Sequence, residues 1–158
     1  MGDYFAGTIY VPLKYVNNEE VKKEIEKWAT EGKIDWESYT SKNLEGTIDV
    51  IDNILCIENY SLKNGLFEEL EEILKNNKIP FDRESDGKDE YPPVVRYYRP
   101  ETNNSKGVDY EEEASYQQKE PFVEKEELIK LLDMPPQEAV KELKKILDPI
   151  VSPLKDWI

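Results

Sequence analysis

The hydrophobic pattern changes period along the chain, and each change marks an element. Residues 4–13, "YFAGTIYVPL", are aromatic and β-branched and predict a strand that Pro12 ends or holds to an edge, because proline cannot donate to a ladder. "NNEEVKKEIEKWATEGK" then repeats apolar residues at Val21, Ile25 and Trp28, the i, i+4, i+7 spacing of one helix face. Asn17 or Asn18 caps this helix, Glu19 and Glu20 fill its first turn and Gly32 stops it. Residues 34–44 carry no clear period, although "IDWESYT" alternates like a short strand. "TIDVIDNILCIENYSL" holds one or two strands, most firmly Ile54 to Tyr60. "NGLFEELEEILKNNK" predicts a second helix, with Leu66, Phe67, Leu70, Ile73 and Leu74 inward and Glu68, Glu69, Glu71 and Glu72 outward.

Two further strands, Ile79 to Arg83 and Val94 to Arg99, flank a glycine-containing loop around Gly87. Residues 101–120 read as a polar loop. "VEKEELIKLLDM" and "PQEAVKELKKILDPI" predict two closing helices separated at Pro135 and Pro136. The order β-α-(β)-β-α-β-β-α-α predicts an α+β fold: an antiparallel sheet with helices on one face, close to a split β-α-β, ferredoxin-like layout, with two C-terminal helices appended. One domain is expected over 1–158: an α+β core to residue 100, the polar loop, and a helical segment from 121.

Composition supports a folded chain with a charged exterior. Of 158 residues 35% are charged and 38% hydrophobic, but the aromatics that disordered chains lack are plentiful, with 10 Tyr, 4 Phe and 3 Trp. No apolar run is long enough to span a bilayer. The start "MGDYFAGTIYVPLKYV" lacks the basic and apolar regions of a signal peptide, and Ala6 stands where a myristoylation signal needs Ser or Thr. A single cysteine, Cys56, excludes an internal disulfide and reads as a small buried hydrophobe. A cytoplasmic location, in a bacterial host cell, is the expectation.

The net charge of −14 opposes direct contact with nucleic acid or an anionic membrane and favours a basic partner. The excess is spread: residues 1–80 carry −7, residues 81–127 carry −7, and residues 128–158 are neutral. There is no histidine, which removes Ser-His-Asp and Cys-His catalysis, the usual zinc sites and the commonest base near neutral pH. Neither glycine-rich phosphate-binding motif occurs. "DRESDGKDE" alternates oxygen donors around a glycine, but with Asp82 as the first position of a calcium loop, Pro93 falls where the bidentate glutamate belongs. A solvated turn is expected, with no metal and no cofactor.

In "VVRYYRP", alternation sets Val94, Arg96 and Tyr98 on one face and Val95, Tyr97 and Arg99 on the other. Arginine with tyrosine is the composition of interface anchors, of cross-strand pairs to Asp82 or Glu84, or of a phosphate site.

The block "IPFDRESDGKDEYPPVVRYYRP", after "GLFEELEEILKNNK" and a start of the type "YFAGTIYVP", resembles a loose group of small proteins carried by phages and other mobile elements. The likeness covers roughly residues 3–100 and is most specific at Ser85, Asp86, Gly87, Lys88, Glu90 and Tyr91. Pro92 and Pro93 depart from it, and the C-terminal helices lie outside it. It implies a mobile-element setting and no reaction.

Three functions fit these residues. The first is a non-enzymatic protein-binding modulator or inhibitor. It would block a host nuclease or defence effector with a DNA-mimic-like acidic surface of Glu68, Glu69, Glu71, Glu72, Asp82, Glu84, Asp86, Asp89, Glu90, Tyr91, Glu111, Glu112 and Glu113. High negative charge also serves solubility alone. The second is a module sequestering a nucleotide-like ligand through Arg83, Lys88, Arg96, Tyr97, Tyr98 and Arg99. The third, ranked last, is a carboxylate–metal enzyme.

Overall fold

A computed structural model of the chain describes residues 3–27, 34–41, 46–87, 91–114, 123–147 and 151–158. Its elements are β1 (Tyr4–Pro12), α1 (Glu19–Lys27), β2 (Ile34–Asp35), β3 (Thr40–Ser41), β4 (Gly46–Ile51), β5 (Ile54–Lys63), α2 (Glu68–Asn76), β6 (Phe81–Ser85), β7 (Val94–Arg99), β8 (Val108–Glu113), α3 (Lys125–Leu132) and α4 (Pro136–Leu147). By its contacts the chain divides into two units, 1–114 with 153–158, and 115–152.

In the first unit six strands form one antiparallel sheet in the order β4-β5-β1-β6-β7-β8. The run β1-α1-β4-β5-α2-β6 gives the strand order β4-β5-β1-β6, which is the split β-α-β arrangement. β1 is central, and Pro12 is its last residue, where the missing donor costs least. β4 and β5 are two strands joined at Asp52 and Asn53, both with positive φ (50° and 63°), the conformation of a two-residue hairpin turn that Asp and Asn tolerate. Asn18 caps α1: its Oδ1 accepts from the amides of Glu20 (2.9 Å) and Val21 (3.3 Å).

The core lies between one face of this sheet and the two helices. Ile9, Val11, Leu55, Ile57 and Phe81 from the strands meet Val21, Ile25, Phe67, Leu70 and Leu74, all buried. A 3-10 turn over Leu154–Trp157 packs against β1 and buries Leu154. In the second unit, Pro136 opens α4 as expected.

Three expectations change. Val108–Glu113, read as part of a polar loop, is strand β8, in register with β7. Glutamates have low strand propensity, but here the β7 ladder and arginine partners override it. Cys56 is half-buried rather than buried, because it alternates with Leu55 and Ile57 and so faces away from the helices. Glu71 is not on an outward face: it is 2% exposed. Trp28 and Gly32 lie outside the described residues.

Candidate binding surface

The acidic face of α2 divides in two. Glu68, Glu69 and Glu72 are exposed, whereas Glu71 points into the layer between helix and sheet. The sequence carried a signal for this. Phe67, Glu71 and Leu74 stand at i, i+4, i+7, so Glu71 occupies a slot of the buried stripe.

The sheet supplies its partners. Arg83 of β6, Arg96 of β7 and Glu111 of β8 lie in one cross-strand row. Two arginines directly opposite repel. Glu71 descends between them: Arg83 Nε donates to Glu71 Oε1 (3.0 Å) and Arg96 Nη1 to the same oxygen (3.3 Å). Arg83 is itself 1% exposed and completes its bonds with Ser85 Oγ and with Glu111 Oε2 at 3.1 Å. Ser85 in turn donates to the carbonyl of Gly65 (2.6 Å). Arg96 forms a fork with Asp109 (2.9 and 2.9 Å), and Lys75 reaches the same carboxylate at 2.8 Å. The hydrogen bonds from Arg96, reinforced by Lys75, hold the Asp109 carboxyl down to about 2, despite partial burial.

Between α2 and these strands runs a groove of about 490 Å³, lined by Glu68, Glu72, Lys75, Arg83, Arg96 and Glu111 among others. Three cations (Lys75, Arg83, Arg96) stand on this side of the sheet and helix with six carboxylates, those of Glu68, Glu71, Glu72, Asp109, Glu111 and Glu113. The cations are matched to Glu71, Asp109 and Glu111, which leaves Glu68, Glu72 and Glu113 as a negative rim.

The opposite face of the sheet carries a second, separate set. Glu84, Val95 and Glu112 form one row, and Asp82, Tyr97 and Tyr110 the next. Tyr10 donates to Glu84 (3.3 Å), and Tyr97 and Tyr110 both donate to Glu112 (3.3 and 3.4 Å). Burial first, and Glu112 second, push the Tyr97 hydroxyl up to about 12; Tyr10 is raised for the same reasons, with Glu84 as its acidic neighbour. Buried Arg99 donates to the carbonyls of Phe81 (3.0 Å) and Tyr98 (2.9 Å) and lies 2.7 Å from Asp82 Oδ1. That contact is an ion pair without hydrogen-bond alignment. Burial raises the Asp82 carboxyl more than Arg99 lowers it.

The structure therefore brings Glu68, Glu72, Glu111, Arg83 and Arg96 together, and separates them from Asp82, Glu84, Glu112, Tyr97 and Arg99. Asp82 and Glu84 are half-buried and engaged, so they are not free acidic surface. The residues expected to hold a nucleotide are split. Arg83, Arg96 and Tyr98 face the helices, with Tyr98 donating to the Lys75 carbonyl (3.4 Å); Tyr97 and Arg99 face the other way. Asp86 and Tyr91 are exposed. Lys88, Asp89 and Glu90 lie outside the described residues.

Among the described residues no three His, Cys, Asp or Glu side chains converge as a metal site, and no helix is long and apolar enough to cross a membrane. Compared with protein-family models, with curated proteins and with solved structures, the chain matches none.

Proposed function

We propose that this chain is a non-enzymatic binding protein that engages the basic, nucleic-acid-holding surface of a partner protein through the α2–β8 rim. The observation that carries the reading is the arrangement of charge there. Glu68, Glu72 and Glu113 are exposed, while the arginines behind them are bound to Glu71, Asp109 and Glu111. The rim therefore presents an uncompensated negative field, which raises the on-rate for a basic surface and loses strength as salt screens it. The resemblance over residues 3–100 adds a setting to the proposal: a mobile-element protein acting in a bacterial cytoplasm, whose partner is a host nuclease or defence effector.

The test is capture of partners from host lysate at low and then high salt, beside the variant Glu68→Lys/Glu72→Lys/Glu113→Lys. The expected result is a DNA-binding protein retained at low salt, shed at high salt, displaced by duplex DNA and lost with the variant, whose Tm is unchanged. A partner indifferent to both salt and charge reversal overturns the reading, and no partner at all leaves the charge a matter of solubility.

A further inference from the structure

β8 ends the sheet, and among the described residues no strand pairs with its outer side. Its register with β7 runs unbroken from Val94↔Glu113 to Arg99↔Val108, with neither a bulge nor a proline to blunt the edge. One bond settles which backbone groups it leaves outward. The Ala114 N–H donates to the Pro93 carbonyl (2.7 Å), one step beyond that register. In an antiparallel pair, every second residue bonds to a given neighbour. Glu112, Tyr110 and Val108 therefore turn to β7 with Ala114, while Asp109, Glu111 and Glu113 turn their N–H and C=O groups away from the sheet.

The side chains determine what can pair there. Asp109 and Glu111 are engaged by Arg96, Lys75 and Arg83. Glu113 lies two residues beyond Glu111, so it stands on the same helix-facing side, and Glu112 stands on the opposite side. Both are exposed and pair with no cation among the described residues. Glu112 accepts from the hydroxyls of Tyr97 and Tyr110, which are neutral and leave its charge intact. We infer that an extended segment of the partner protein adds to β8 as a seventh strand, and that it carries two consecutive basic residues opposite Glu112 and Glu113. Consecutive strand residues face opposite sides, so one cation meets each carboxylate while the backbones form a ladder. A second copy of this chain does not fit. Pairing β8 with β8 would set like carboxylates against one another, between chains of net charge −14. The inference rests on the acidic-rim reading for the partner's charge and adds to it the form of the segment that is bound.

The probe is the capped octapeptide Val-Thr-Val-Arg-Lys-Val-Thr-Val, titrated against the full chain and followed by amide hydrogen exchange in NMR. Its control is the same peptide N-methylated throughout, which keeps both charges and donates no backbone bond. The parent peptide is expected to slow exchange several-fold at Asp109, Glu111 and Glu113 and to leave Tyr110 and Glu112 unchanged; the control is expected to slow none. Glu113→Pro should weaken the peptide several-fold more than Glu113→Ala, because both lose the charge and only proline loses an outward donor. Should the proline variant not fold, the two peptides decide the matter on the unaltered chain. No saturable protection, equal protection by both peptides, or protection spread evenly along β8 each overturns the added strand. A salt-sensitive partner captured from lysate, together with equal protection by both peptides, keeps the acidic-rim reading and removes the ladder. If capture yields no partner, the rim reading fails, and the alternating pattern of protection still decides the ladder.

Discussion

The two halves of the helix-facing side of the sheet solve the same problem differently. Over β4, β5 and β1 the face is aliphatic, with Ile48, Leu55, Ile57, Ile9 and Val11 under Val21, Ile25 and Leu70. Over β6, β7 and β8, past Phe81, the corresponding positions are Arg83, Ser85, Arg96, Asp109 and Glu111, and the helix answers with Glu71. The first half is held by apolar area, which is tolerant of geometry. The second is held by directional bonds among charges, and each depends on the others. From the helix, Lys75 reaches Asp109, and buried Glu71 serves two arginines at once.

Removing it is expected to produce the largest effect. Glu71→Ala leaves Arg83 buried without its main counter-charge and should lower unfolding free energy by about 3–5 kcal/mol in urea denaturation. Glu71→Leu with Arg83→Met should recover most of that loss, because an apolar replacement of both partners removes the desolvation cost. If the double variant is as unstable as the single one, the charged half is not interchangeable with the aliphatic half.

Gly65→Ala comes next. It forces a strained φ and drives a methyl into the Phe5 ring, so it should cost more than about 1 kcal/mol, measured the same way.

Acid separates the halves by a different route. The folded Asp109 carboxyl, at about 2, lies below its ordinary value of 3.8, so its contribution to stability is present above about pH 4 and is lost as pH falls towards 2. Asp82, raised by burial, runs the other way: its contribution is fullest below 3.8 and is lost as pH rises through its folded value. Asp109→Asn should therefore flatten the acid limb of the stability profile, while substitutions in the aliphatic half shift the whole profile without changing its shape.

The smallest effect is expected on the rim. Glu72→Ala should change stability by no more than about 0.5 kcal/mol, which sets the exposed glutamates of α2 apart from Glu71 on the same helix.

Much of this architecture was legible in the chain. Period 3.6 at Val21–Ile25 and at Phe67–Leu70–Leu74, the Asn18 cap, the alternation of Val94–Arg99 and the Pro135–Pro136 break are properties of near neighbours, so they survive without tertiary information. The absence of histidine and the excess of carboxylates likewise narrow the chemistry before any fold is known. What the chain alone did not reveal is which charges are surface. Glu71 sits in a buried slot, but its chemistry reads as solvent-facing; only Arg83 and Arg96, 12 and 25 residues further on, make its burial tolerable. β8 has the composition of a loop and becomes a strand because β7 offers a ladder and Arg83 and Arg96 offer cations. Local pattern determined the elements, because it records which face of each must be dry. The tertiary structure decided the charged network, because a carboxylate's depth and partners depend on strands and a helix far apart in sequence.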